Sequence, residues 1–414
     1  MKLTLIAVGS RGDVQPIIAL GKGLQQAGYA VRLVTLASFE GFVGGHGLDF
    51  SPVRGDAQQL VQEMMAKRGG NTNLLKMYRG IMRTFGAITD SYIEAFSAEA
   101  LRDSDAILSQ LPGGFFGYDL AQALDVPYLA LSVIPQQSTA SYPYALLPGQ
   151  ISLGRWWNRR SYDLAAQLVW PPFRKPINQF RRRLGLPRAS FWWGSTRAVY
   201  PVLQGFSEHV VPTEPDWGAH MHTTGYWLLD ESDWEPSAEL EQFLAAGEPP
   251  VFIGFGSMPV PDSAKTTQII LDALAETGQR AVLSAGWAGL GAQRLPEHVF
   301  LLDYAPYTWL FPKMRGIVHH GGSGTTGLAL RSGAPSVVIP FTADQPFWGE
   351  RTRALGVGPA PVLFQNLSVP NLAVAIQTML TDKAMQQRAG EMRQKLLAED
   401  GVKTAVKIVQ SILA

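Results

Sequence analysis

The sequence predicts an α/β protein of two open, parallel-stranded sheets, and three observations predict it. The chain has 414 residues, too many for one ordinary core, so two domains of about 200 residues are the natural division. In both halves, apolar runs of strand length alternate with amphipathic stretches of helix length, the rhythm of parallel strands joined by covering helices. Finally, the glycine-rich stretch from His319 to Gly327 joins a short apolar run to the start of a helix, as loops at the edge of such sheets do.

Composition narrows the class. With 46% hydrophobic and 17% charged residues the chain is globular, and 35 basic against 34 acidic residues leave no overall field to draw in nucleic acid. Cysteine is absent, which excludes disulfides and thiolate metal sites and fits a cytoplasmic location. The opening apolar run, Leu3–Val8, is too short for a leader and breaks at Gly9-Ser10-Arg11-Gly12-Asp13. No segment is long and apolar enough to span a bilayer. No carboxylate pair is arranged like a divalent-metal site, so neither metal nor cofactor is expected.

In order, Leu3–Val8 reads as a strand, Val14–Ala27 as a helix and Ala30–Thr35 as a second strand. Asp105–Ser109, Tyr118–Leu124 and Tyr128–Val133 continue the series as strand, helix and strand. Between them a long helical region, about Leu74–Leu101, carries apolar positions on a wide face, Met77, Ile81 and Phe85 among them. The segment from Ser138 to Trp193 departs from the rhythm. Rich in Tyr, Trp, Pro and Arg, it either packs long loops or lines a cleft for a large apolar molecule. Its basic runs, Arg155–Arg160 and Arg181–Arg183, read as solvated helix faces, which leaves at most a weak membrane-surface contact. Residues 1–215 form the first expected domain and 246–399 the second. The acidic, irregular residues 216–245 make the linker, and the last helix, within 400–414, packs back on the first domain. The second domain begins with strands at Pro250–Gly254, Ala281–Ser284 and Val299–Leu302, and Leu367–Leu380 and Ala384–Leu397 are helical.

The His319–Gly327 turn is a seat for phosphate. Gly321, Gly322 and Gly324 clear the approach, Ser323, Thr325 and Thr326 offer hydroxyls, and the N-terminal end of the following helix adds its dipole. A helix-capping turn is the alternative reading. The same residues contain a G-x-G-x-x-G from Gly322 to Gly327, but three strand-like runs of this half precede it, whereas a dinucleotide site opens its sheet. Asp344-Gln345, after the apolar Val337–Phe341, looks like a second loop converging on the same ligand.

Four stretches in matching order carry a resemblance: Gly9–Pro16, Tyr304–Pro312, His319–Gly327 and Pro340–Gly349. The chain resembles the sterol glucosyltransferase branch of the nucleotide-sugar glycosyltransferases, and is similar to the antibiotic-aglycone glycosyltransferases. The resemblance covers nearly the whole chain. It implies two facing Rossmann-like doubly wound domains (GT-B type), the first taking the acceptor and the second the nucleotide sugar. It implies that His320 and the backbone of Gly322, Ser323, Gly324 and Thr325 hold the diphosphate, with Ser10 and Ser257 nearby. Asp344 and Gln345 would bind sugar hydroxyls, Tyr304 would lie against the base, the Tyr304–Tyr307 backbone would read its edge, and Trp287 is a candidate lid. Met77, Ile81, Phe85, Phe115, Gln136, Tyr142 and Tyr144 are the candidates for the acceptor wall.

Plant members of the superfamily remove the acceptor proton with a histidine paired to an aspartate. Here the first loop offers Asp13, and the strand that would bring the partner acid ends in Ser109-Gln110, so Asp13 is expected to act alone. It also suits the N-cap of the Val14 helix. The expected reaction moves glucose from UDP-glucose to a hydroxyl of a sterol-like acceptor with inversion, UDP-sugar being the only co-substrate. Macrolide or flavonoid acceptors, a TDP-sugar donor, and a nucleotide-sugar epimerase remain as alternatives.

Overall fold

The strand-length apolar runs are continuous rather than alternating because both faces of each sheet are covered by helices. The computed structural model describes residues 1–56, 58, 93–96, 101–110, 114–147, 150–192, 198–231, 233–292 and 294–414, with backbone alone at 115 and 172. The first sheet runs β1 (Lys2–Ile6), β2 (Ala30–Leu36), β3 (Asp49–Val53), β4 (Ala106–Gln110), β5 (Tyr128–Ser132), β6 (Val202–Gln204) and β7 (Met221–Thr223). The second runs β8 (Val251–Gly254), β9 (Ala281–Ser284), β10 (Val299–Leu302), β11 (Gly316–His319) and β12 (Ser336–Val338). Every pairing is parallel, in the orders β3-β2-β1-β4-β5-β6-β7 and β10-β9-β8-β11-β12. Each order reverses once, between β1 and β4 and between β8 and β11, and a doubly wound sheet opens its crevice at such a reversal, outside the carboxyl ends of its strands.

The covering helices are α1 (Arg11–Gln26), α2 (Glu40–Gly45), α3 (Gly114–Leu124), α4 (Arg155–Arg183), α5 (Ala238–Ala245), α6 (Ser263–Thr277), α7 (Tyr307–Leu310), α8 (Ser323–Ser332), α9 (Gln345–Ala354), α10 (Val369–Thr381), α11 (Lys383–Leu397) and α12 (Gly401–Leu413). Helix α12 buries Ala405, Val406 and Val409 in the core of the first sheet. A Cβ at Gly23 of α1 would stand 2.4 Å from Val402 Cγ1, so glycine there lets the two helices close together. A third core joins the halves, packing Phe206, Val210 and Tyr226 against Leu330, Phe347, Trp348 and Met392. Arg351 of α9 donates twice to Val210 O, at 2.9 and 2.6 Å.

Two expectations change. The segment from Ser138 to Trp193, read as packed loops or a cleft lining with solvated helix faces at its two basic runs, contains one 29-residue helix, α4, that joins those runs and buries Arg181. Pro171, Pro172 and Pro176 lie within it, residues that weaken a helix locally. The burial of Tyr162, Trp170, Phe173, Ile177 and Phe180 at helical spacing outweighs that cost. The 216–245 span is not irregular throughout either: it holds β7, paired in the first sheet, and α5, whose Leu240 is buried in a core of the second half. Met77, Ile81 and Phe85 lie outside the described residues, as does most of the long helical region.

Helix α4 is tied to α3 by a buried ion pair, Arg181 Nη1 on Asp119 Oδ1, with side chains 8% and 2% exposed. Burial pushes the Asp119 carboxyl up to about 6 in spite of its partner. Removing one member of such a pair strands a charge in the interior, so Arg181→Leu should lower stability by about 3–5 kcal/mol. Urea unfolding measures this, and a loss under about 1 kcal/mol would mean the pair is dispensable.

Candidate active site

Asp13 stands at the first crevice because α1 begins directly after β1. It is the third residue of that helix, not its N-cap, since Ser10 caps. One carboxylate oxygen, Oδ2, accepts from Ser10 N at 2.7 Å and Ser10 Oγ at 3.0 Å. The other, Oδ1, accepts from Gln110 Nε2 at 3.2 Å. The register Ile6↔Ser109 sets the end of β4 beside the end of β1, which is why Gln110 reaches Asp13. An amide thus occupies the strand end where a partner acid would have stood, and it donates to Asp13. Asp13 is only half-buried by exposure, yet the cleft around it shuts out enough water that burial raises its carboxyl above the usual range, against the Ser10 hydrogen bonds. A Cβ at Gly9 would meet Asp13 Oδ2 at 2.3 Å. Gly9→Ala should therefore drive the carboxylate out of place and cost on the order of a hundredfold in turnover, with the melting temperature little changed. Full turnover in this variant would show that the carboxylate's position is not critical.

The second crevice is lined by three loops. Gly256, at φ +57°, follows β8, and Gly321, at φ +88°, follows β11, both in the left-handed region that favours glycine. His320 lies between two glycines: a Cβ at Gly256 would be 3.1 Å from its Cε1, and one at Gly322 2.5 Å from its Nε2. Burial lowers the His320 pKa to about 4 and that of His319 to about 3, so both rings are neutral at pH 7. Nδ1 of His319 accepts from Gly321 N at 3.1 Å, whereas Nδ1 of His320 is buried without a hydrogen-bond partner. Gly322 is the N-cap of α8, so the first-turn N–H groups of Ser323, Gly324 and Thr325 open toward the crevice. The first intrahelical bond is Thr326 N to Gly322 O at 2.9 Å.

Several expected ligands have other work in this structure. Ser323 Oγ donates to Val133 O at 2.6 Å, across to the loop after β5. The Gln345 amide oxygen takes Phe341 N at 2.7 Å and Thr342 N at 3.1 Å, and its nitrogen lies 2.9 Å from Met258 Sδ, so it pins its own loop to the loop after β8. Asp344 accepts from Trp348 Nε1 at 2.7 Å and precedes α9. Burial raises its carboxyl to about 6, with the negative charge of Asp13 adding a smaller part of the rise.

Tyr304 is 40% exposed; its hydroxyl accepts from Arg11 Nη2 at 2.9 Å and donates to Glu231. Tyr307 stacks on Phe311 with ring centroids 4.3 Å apart. Ser257 is half-buried in the turn after β8. Trp287, held by its N–H on Gly256 O at 2.9 Å, packs against the core of the opposite half. Tyr142 meets Phe347 of α9 at 5.1 Å, and Tyr144 meets Tyr162 of α4 at 5.3 Å. Gln136 is half-buried, and the Phe115 side chain lies outside the described residues. From sequence, Gln110 was legible at the strand end facing Asp13 but its hydrogen bond to Asp13 was not, and Arg11 was missed. The adjacency of β1 and β4 is the signal that finds Gln110; nothing local marks Arg11.

Two parallel sheets with their crevices opposed define the GT-B class, and solved glycosyltransferases share that fold. The calicheamicin glycosyltransferase matches with a TM-score of 0.73 over 99% of this chain and 98% of that one, at 18% identity. A glycosyltransferase of kitacinnamycin matches with a TM-score of 0.72 over 100% and 99%, at 18% identity. Residues 3–140 match the glycosyltransferase family 28 N-terminal domain, and residues 268–412 the erythromycin biosynthesis protein CIII-like C-terminal domain. Two sterol 3-beta-glucosyltransferases of Arabidopsis thaliana are 37% and 36% identical over 98% of this chain, which spans 65% and 67% of their lengths. One from Saccharomyces cerevisiae (strain YJM789) is 33% identical over 100% of this chain, which spans 35% of it. The chain belongs to the sterol glucosyltransferase family of nucleotide-sugar glycosyltransferases. Among its described residues no helix is long and apolar enough to cross a membrane, and no group of three or more His, Asp or Glu is placed to hold a metal ion.

Proposed function

We propose that the protein transfers glucose from UDP-glucose to the hydroxyl of a sterol-like acceptor, forming a β-glycoside by a single in-line displacement. The observation that supports this best is the opposition of Asp13, held by Ser10 and Gln110, to the open N-terminus of α8 beside His320. The acceptor oxygen attacks the anomeric carbon, its proton passes to Asp13, and the bond from that carbon to the diphosphate oxygen breaks. Charge growing on the leaving diphosphate is met by the N–H groups of Ser323, Gly324 and Thr325, the α8 dipole and one N–H of neutral His320. A carboxylate is a weak base toward an alcohol. Proton transfer therefore lags until the oxygen has begun to bond to an oxocarbenium-like carbon. Asp344 faces the sugar hydroxyls, Gln345 fixes the loop that presents it, and Ser257 lies at the phosphate end. The relatives' names, sterol 3-beta-glucosyltransferase, favour a sterol over a macrolide or flavonoid.

Mass spectrometry of the protein with UDP-glucose or TDP-glucose and one sterol, one macrolide and one flavonoid tests this reading. A sterol hexoside from UDP-glucose is the expected product, and product from the macrolide alone would overturn the acceptor assignment. UDP-glucose incubated without acceptor separates the epimerase alternative, which requires a new sugar isomer.

A further inference from the structure

Helix α4 turns one side to the core, and among the described residues nothing covers the other. Trp156, Leu164 and Leu168 are 71%, 44% and 54% exposed, and with Arg160 they stand four residues apart, along one side of the helix. Beside them Phe191 and Trp192 are 59% and 64% exposed. These rings are held outward. Trp170 Nε1 donates to Phe191 O and Gln167 Nε2 to Trp192 O, both at 2.9 Å, and the Arg174 guanidinium sits 4.1 Å from the Phe191 ring centroid.

Charge on the same segment is one-sided. From Gln150 to Trp192 the sequence has nine arginines and lysines against one acidic residue, Asp163, in a chain whose overall net charge is +1. Arg181 is buried against Asp119, and Arg159 and Arg160 have exposed carboxylate partners in Asp216 and Asp163. Arg155, Lys175, Arg182, Arg183 and Arg188 are exposed around the apolar stripe.

We propose that this face seats the protein on a lipid surface bearing anionic headgroups, with Trp156, Phe191 and Trp192 at the boundary between headgroups and acyl chains and the basic residues on lipid phosphates. Amphipathic rings with a basic rim are the composition that lies in such an interface. A second copy of the chain is a poor occupant, because two such faces would bring like charges together. The buried side of α4 carries Tyr162 against Tyr144, and Ser161 Oγ accepts from Tyr144 N at 2.8 Å, so one helix links the lipid-facing side to a candidate acceptor residue. The inference goes beyond the glucosyl-transfer reading and does not depend on it.

The test is co-sedimentation with vesicles of phosphatidylcholine alone and of phosphatidylcholine with roughly one third phosphatidylserine. The wild-type chain should partition onto the second kind and be released by salt. Trp156→Ser with Trp192→Ser, and separately Arg160→Glu with Lys175→Glu, should each weaken partition by about tenfold or more. Melting temperature, and turnover of a water-soluble alcohol, should stay at wild-type levels. If the tryptophan variant unfolds, the charge variant alone decides. Equal binding to both vesicle types, no binding to either, or variants that bind like the wild type would overturn the proposal. So would a wild-type dimer that these substitutions dissolve, which would give the face to a second copy.

Discussion

Asp13→Asn is expected to lower turnover by about 10²–10⁴-fold, the usual contribution of a positioned general base, while UDP binding stays near the wild-type value. The amide keeps the shape of the carboxylate and keeps an oxygen for Ser10, so the loss isolates proton acceptance from architecture. Two pH signatures accompany it. Burial holds the Asp13 pKa above its ordinary 3.8, and the base must be ionised to act. The acid limb of kcat/KM should therefore fall above the normal carboxylate range, and the asparagine variant should lose it. Stability moves the other way. A carboxyl whose folded pKa is raised favours the fold below its unfolded pKa and loses that contribution as pH rises through the folded one. At pH 7 ionised Asp13 thus costs stability, and Asp13→Asn should melt higher than the wild type. Turnover within about twofold of wild type would remove Asp13 from the chemistry.

His320→Ala should raise the Kd for UDP and also lower kcat, together about 10²–10³-fold in kcat/KM, the scale of losing one aligned donor to a developing oxyanion. On the proposed mechanism Asp13 acts only on the acceptor and His320 on the leaving diphosphate, so binding and rate should fall together. Its pKa near 4 leaves it neutral at pH 7, so in the proposed mechanism it donates as a neutral ring. A depressed histidine pKa contributes stability that is present above the unfolded value of 6.5 and lost as pH falls through about 4. Hence the wild type should lose stability between those limits more steeply than His320→Ala. Isothermal titration with UDP decides the assignment, and an unchanged Kd would place the diphosphate elsewhere.

What reasoning from sequence captured depends on how local each feature is. The glycines at 321 and 322 advertise a turn that only glycine fits, and the apolar runs at Ala281–Ser284 and Val299–Leu302 carry their burial in their own composition. The strand bounds there match the structure. Only the two ends of α4 were legible as helix; its middle was concealed because its prolines and tryptophans resemble loop chemistry, and its helical periodicity pays off only against a core supplied by other elements. Ser323 and Gln345 were legible as polar residues at the right loops, but not as donors already engaged with Val133 O and with the Phe341–Thr342 backbone.

The sequence by itself determined two α/β halves of parallel strands, the glycine-rich turn after Val318 as a candidate phosphate seat and Asp13 as the candidate base, since each rests on residues near one another in the chain. Only the tertiary structure decided that Gln110 lies on Asp13, that Asp344 and Asp13 share one field across the cleft, and that α4 leaves an aromatic, basic face uncovered. Those facts depend on which strand lies beside which and on which side of a helix a core is found. Parallel strands are joined by long crossovers, so their neighbours are set by packing of the whole sheet and leave no mark in adjacent residues.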